Sequence, residues 1–138
     1  MTSRSDIVAA ARGYLGVRYQ HLGRSRHGID CIGLPVMVAN DLDLAGHDEK
    51  GYAPSPDGRR LCAGLLKAGC VDVGLNHGDG DILVFWIRHP KRPQHVAIAT
   101  GPDMMIHTHS TAGKVVEHPI EKHWRPRLHT AFRYPGVE

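Results

Sequence analysis

A thiol and two imidazoles stand out in this chain for the chemistry they could do together. Cys31 lies in G-I-D-C-I-G (Gly28–Gly33), where a glycine-containing stretch gives way to an apolar run. If that run is helical, the cysteine sits at a helix N-terminus, where unpaired N–H groups and the positive end of the helix dipole favour a thiolate. The bare backbone at Gly28 and Gly33 leaves room for a substrate to approach. His95 opens the β-prone run H-V-A-I-A, and His107 follows twelve residues later in M-I-H-T-H-S, a separation that suits the adjacent strand of a hairpin. One imidazole that takes the thiol proton and a second that orients the first is the base-and-orienter logic of nucleophilic catalysis.

Other cysteines and histidines carry weaker signals. Cys62 and Cys70 read as small buried apolar groups, and three cysteines without a C-x-x-C pair offer no disulfide framework and no zinc or redox pair. His21, His27, His47, His77, His89, His118, His123 and His129 fall in loops or at strand edges and are assigned surface or structural roles. A metal reading exists: His107 and His109 would point two imidazoles to one face of a strand, with Asp81, Asp103 or Glu117 to complete the set. No H-E-x-x-H helix accompanies them, and that site would leave Cys31 without a role, so no metal and no cofactor is expected.

The elements that must hold these groups follow from the pattern. Ser3 and Asp6 form a capping-box start, followed by Ile7, Val8, Ala11 and Leu15 at helical spacing, with an end near Gly13. Residues 16–29 contain three glycines and no period, and read as an ordered loop. From Asp30, taken as the N-cap, residues Ile32, Leu34, Val36, Val38, Ala39 and Leu42 predict a mostly buried helix, with Pro35 tolerated near its first turn. Residues 45–60 read as a surface connection, and 61–68 as a short helix closed by Gly69. Five short β-prone segments follow: 82–87, 96–100, 104–108, 115–118 and 131–134. Helices first and strands second predict an α+β fold, with an antiparallel sheet and the helices packed on one side of it.

The 138 residues fit one domain, 1–138, and 41% hydrophobic against 22% charged residues excludes a disordered chain or a coiled coil. A formal charge of +3 with scattered arginines gives no footprint for nucleic acid. The longest apolar stretch, Ile32–Ala39, contains a proline and falls far short of the ~20 residues that span a bilayer, so no membrane span is expected. The opening M-T-S-R-S-D lacks the apolar run of a secretory signal, which implies action where the chain is made or export by another route.

Four motifs in order, Tyr19–Leu34, G-D-G-D-I-L-V-F (Gly78–Phe85), H-V-A-I (His95–Ile98) and M-I-H-T-H-S (Met105–Ser110), resemble the NlpC-type, papain-like cysteine peptidases that cut peptidoglycan stem peptides. The resemblance covers nearly the whole chain. It implies Cys31 as nucleophile, His95 as general base and later acid, and His107 as the orienting residue, with His109 as the alternative if the strand register differs. Tyr19 and Asp30 then stand at the oxyanion and substrate-binding positions, although Tyr19 also suits a packing role on its loop. Ile32 stands where the family usually has serine. The segment Y-A-P-S-P-D-G-R-R-L (Tyr52–Leu61) and the closing F-R-Y-P (Phe132–Pro135) look like the short versions encoded with phage tails and gene-transfer agents. The family resemblance implies cleavage between D-glutamate and diaminopimelate, and the tail-encoded likeness implies partnership with a tail-tip or baseplate hub protein and delivery in a tail to the target periplasm to breach the wall. Two other functions fit the same residues: a tail-tip component with an unused peptidase fold, and a thiol amidase or acyltransferase.

Overall fold

The computed structural model describes residues 2–44, 48, 51–52 and 58–137. Helix α1 (Arg4–Arg12) begins at a complete capping box: the Ser3 Oγ accepts the Asp6 N–H at 3.1 Å, and the Ser3 N–H donates to the Asp6 carboxylate at 2.8 Å. It buries Ile7, Val8 and Ala11. The stretch read as an ordered loop contains a minimal antiparallel hairpin, β1 (Arg24–Ser25) and β2 (Gly28–Ile29). Helices α2 (Gly33–Asp41) and α3 (Gly58–Lys67) come next. Most of the connection expected between them lies outside the described residues.

The second half forms β3 (Val71–Asp72), β4 (Ile82–Trp86), β5 (Pro93–Gly101), β6 (Met104–His107), β7 (Val116–Pro119) and, after a 3-10 turn over Arg125–Arg127, β8 (Leu128–Arg133). These make one six-stranded sheet in the order β3-β8-β4-β5-β6-β7, with every pairing antiparallel. Three helices over an antiparallel sheet are the expected α+β architecture. Among the described residues, no helix is long and apolar enough to cross a membrane.

Strand alternation gives the sheet two faces. Ile82, Val84, Val96, Ile98, Ile106 and Phe132 pack with Ile7, Ala11, Leu34, Val38 and Leu61 from the helices. Each of the larger side chains contributes about 1.5–3 kcal/mol on burial, so this layer holds the helices to the sheet. Leu83, Phe85, Ala97, Met105 and Ala131 point the other way, under Ile120 and Trp124 from the segment after β7. The face without helices is therefore covered as well.

A buried carboxylate locks α1 to the far end of the sheet. Asp81 takes two 2.9 Å bonds from the Arg133 guanidinium, one from the Gly78 N–H at 2.8 Å and a longer one from Arg4 at 3.4 Å. Gly80, at φ +81°, lets α1 lie close: a Cβ there would stand 3.2 Å from the Arg4 carbonyl oxygen.

Candidate active site

Cys31 lies in the turn just before α2. Its helix begins at Gly33 rather than at Asp30, and Ile32 occupies the N-cap position without a side-chain bond. The correction has a local cause, because the Asp30 carboxylate is engaged by several donors at once. It accepts the Gly33 N–H (2.8 Å), the Leu22 N–H (2.8 Å), the Arg24 guanidinium (3.0 Å) and the Tyr52 hydroxyl (2.5 Å). With Asp30 only 2% exposed, this carboxylate ties together the loop before β1, the start of α2 and Tyr52. It supports the turn that carries Cys31 from inside.

The glycines flanking Cys31 do not open a path either. At Gly28 the missing Cβ makes room for the Gln20 side chain, and a Cβ on Gly33 would stand 2.5 Å from the Gly23 carbonyl oxygen. Both glycines serve close packing of the chain on itself.

The Cys31 thiol lies near the backbone N–H groups of Val96 and Ile32, both of which favour its ionised form, and Val96 directly follows His95. Cross-strand pairing of β5 with β6 reaches from Gly101 to Ile98 and no further, so the sulfur meets β5 where β6 has left it. The thiol keeps partial exposure. Burial, and then the negative charge of Asp30, push its pKa up to about 12 against the pull of the two N–H donors and Arg24. At rest the sulfur is thus a neutral thiol. The thiolate expected from a helix N-terminus is not the resting species.

His95 pairs with Phe85 across β4 and β5 and belongs to the face covered by Trp124. It is 2% exposed, and its ring stacks on the Trp124 indole with centroids 4.9 Å apart and planes at 27°. His95 Nε2 lies 2.7 Å from His107 Nδ1, and His107 Nε2 lies 2.7 Å from His118 Nε2. His118 Nδ1 in turn is 2.7 Å from the Pro119 carbonyl oxygen. Burial pulls the His95 pKa down to about 3, with His109 adding to it, and burial with the neighbouring imidazoles pulls His107 down to about 2. Both rings are neutral at ordinary pH. The stacked indole presents the electron-rich face that favours a transient imidazolium on His95.

The structure settles His107, not His109, as the ring bonded to His95; His109 stands 5.9 Å away between centroids. His118 was missed in the sequence because it lies at the end of the chain's return through β7. Only the pairing of Met105 with His118 puts it on the face of His107, diagonally across β6 and β7.

Tyr19 is half-buried and close enough to Cys31 and Asp30 for their charges, after burial, to raise its hydroxyl pKa. Its segment is sewn to the return between β6 and β7: the Tyr19 N–H donates to the Gly113 carbonyl (2.8 Å), Gly16 to Val115 (3.0 Å) and Val115 to Val17 (2.9 Å). A separate apolar cavity of about 180 Å³ lies between α2, α3 and the sheet, and neither Cys31 nor the three bonded histidines line it. No group of three or more His, Cys, Asp or Glu side chains among the described residues is arranged to hold a metal ion. The arrangement thus holds a neutral thiol beside β5 and, on that strand, a buried imidazole oriented by a second one.

Comparison with known proteins places the fold. Residues 16–133 match the NlpC/P60 family. The murein DD-endopeptidase MepS/murein LD-carboxypeptidase of Escherichia coli K12 is 23% identical over 130 residues, covering 94% of this chain and 62% of that protein. The chain thus spans about three-fifths of the length of the curated relatives it matches. Among solved structures, an NlpC/P60 family protein from Bacillus cereus ATCC 10987 shares the fold with a TM-score of 0.73 at 22% identity, over 96% of this chain and 40% of that one. The NlpC/p60 domain of the peptidoglycan hydrolase SagA gives a TM-score of 0.65 at 25% identity, over 94% and 97% of the two chains. The peptidoglycan hydrolase RipB from Mycobacterium tuberculosis gives 0.64 at 20% identity, over 94% and 63%.

Proposed function

We propose that this chain, which belongs to the NlpC/P60 family, is a cysteine peptidase that hydrolyses peptidoglycan stem peptides. One observation carries the reading: the Cys31 thiol lies near the Val96 N–H, next in sequence to His95, and His95 is bonded at 2.7 Å to His107. His95 uses Nε2 in that bond, which leaves Nδ1 for the thiol proton. As sulfur attacks the amide carbonyl, the proton passes to His95 Nδ1 and negative charge develops on the carbonyl oxygen. The imidazolium then protonates the departing amine, leaving a thioester. His95 next takes a proton from water, the hydroxide attacks the thioester, and the returned proton regenerates the Cys31 thiol. Because thiol and imidazole both start neutral, charge separates only as each nucleophile attacks, sulfur first and water second. The Tyr19 hydroxyl and the Cys31 N–H are the donors we assign to the developing oxyanion.

The bond we assign, from the family resemblance, is the one between D-glutamate and diaminopimelate. The name of MepS describes DD-endopeptidase and LD-carboxypeptidase activities, so product masses are the deciding measurement. We also propose that the domain works as part of a phage-like tail, held by a tail-tip or baseplate hub protein and delivered to the target periplasm. Support comes from the Tyr52–Leu61 and Phe132–Pro135 segments.

The test is mass spectrometry of disaccharide peptides incubated with the wild type and with Cys31→Ala. Cleavage between D-glutamate and diaminopimelate by the wild type alone is expected. Intact substrate with a folded wild type would overturn the peptidase reading in favour of an unused fold, and a transferred acyl group would identify an acyltransferase.

A further inference from the structure

We propose that His118 is a positioning residue of this site: acting through His107, it fixes which nitrogen of His95 carries the proton. The proposal rests on the cysteine-peptidase reading above and adds a residue to it.

The reasoning starts from a group that has no choice. A carbonyl oxygen only accepts hydrogen bonds, so at 2.7 Å from the Pro119 oxygen the His118 Nδ1 must carry hydrogen. A neutral imidazole has a single N–H, which leaves a lone pair on His118 Nε2. That lone pair accepts the Nε2–H of His107 at 2.7 Å, so His107 Nδ1 is bare and accepts the Nε2–H of His95, again at 2.7 Å. His95 Nδ1 is then the one ring nitrogen of the series left with an unused lone pair. With one N–H on each ring, the backbone oxygen sets the direction of every bond in the series.

Without His118 that constraint is lost. The bond between His95 and His107 then runs in either direction, since each ring offers one donor and one acceptor. In the reversed direction His95 Nε2 accepts, Nδ1 holds the hydrogen, and the ring cannot take the thiol proton. A direct role for His118 is ruled out by place: it lies beyond His107, diagonally across β6 and β7, with its ring centroid 4.8 Å from that of His107 at 69°. Its effect must be transmitted through His107.

The test compares His118→Ala with His118→Gln in the full chain. Glutamine offers an amide oxygen to accept from His107 and an amide N–H to donate to Pro119, and so restores the direction without an imidazole. Two readouts need no substrate: the 15N resonances of the His95 ring, and the alkylation rate of Cys31 by iodoacetamide, followed on its own peptide by mass spectrometry. In the wild type, His95 Nδ1 should show the resonance of an unprotonated nitrogen. His118→Ala should mix the two tautomers and slow both alkylation and kcat on the order of ten-fold, with KM little changed, the scale on which outer partners of bound histidines act. His118→Gln should restore all three. An unchanged His95 tautomer in a folded His118→Ala overturns the proposal, as does a glutamine variant that folds but leaves the tautomers mixed. If the wild type cleaves no muropeptide yet the tautomer and alkylation shifts follow this pattern, the peptidase reading fails and the role of His118 stands.

Discussion

On the face of the sheet covered by α1, α2 and α3, the central strands present Ile82, Val84, Val96, Ile98 and Ile106, apolar and almost fully buried. On the opposite face the same strands present Phe85, Ala97 and Met105 together with His95 and His107, equally buried but polar. Burying a polar ring is costly unless its nitrogens are bonded, and here the rings bond to one another. Burial alone therefore does not separate core from chemistry. What separates the faces is that one is held by apolar packing alone and the other by apolar packing joined to a run of hydrogen-bonded imidazoles. The nucleophile we propose comes from the helix side and the base we propose from the histidine side, and Cys31 approaches β5 at Val96, beyond the last pairing of β5 with β6.

The strongest challenge to that division is to remove the reacting group from each side. Cys31→Ala and His95→Ala should each lower kcat/KM for muropeptide hydrolysis by about 10³-fold or more, and the double variant should be no worse than either, since groups acting as a unit are not additive. Losses that multiply would mean that the two act independently. Next in size, Leu34→Ala on the helix face should cost about 2–5 kcal/mol in urea unfolding while the folded fraction keeps its kcat. Trp124→Leu keeps apolar bulk but removes the indole stacked on His95, so its main effect should fall on kcat. Equal effects of both variants on stability, with kcat unchanged, would erase the distinction between the faces.

Titration sharpens the contrast. His95 and His107 have pKa values lowered to about 3 and about 2, whereas in the unfolded chain they titrate near their ordinary 6.5. Between those limits the unfolded chain binds more protons, so stability is complete at neutral pH and is lost as pH falls from 6.5 toward 3. The Cys31 thiol, raised from 9.0 to about 12, has the opposite sense: stability is lost as pH rises above 9.0, where only the unfolded thiol ionises. Melting temperatures across pH should show both limbs, the acid one flattened in His95→Asn/His107→Asn and the alkaline one in Cys31→Ala. The smallest expected change is at Asp30→Asn. Removing its charge should lower the thiol pKa and speed alkylation of Cys31 at pH 8, even though the variant is less stable; slower alkylation would show that Asp30 acts on the sulfur mainly through position.

Much of this was legible in the sequence, for identifiable reasons. The Ser3–Asp6 capping box and the apolar spacing after it are local signals, and α1 follows them. Cys31, His95 and His107 were readable because each stands at a change of pattern and because the motifs around them keep a family order. The rest depended on contacts distant in sequence. Asp30 looked like an N-cap because Asp before an apolar run usually is one; its engagement by Leu22, Arg24 and Tyr52 needs the folded loop. The neutral thiol is set by burial and by that carboxylate, which outweigh the backbone donors. His118 looked like any edge histidine until the β6–β7 register was known.

The backbone stitching of residues 16–19 to residues 113–115 joins the segment that carries Tyr19 to the return that continues from His107. Neither can swing aside without breaking the ladder between them. On the peptidase reading proposed above, a peptide lying beside Tyr19 meets a backbone already set, and little of its binding energy is consumed in reshaping it.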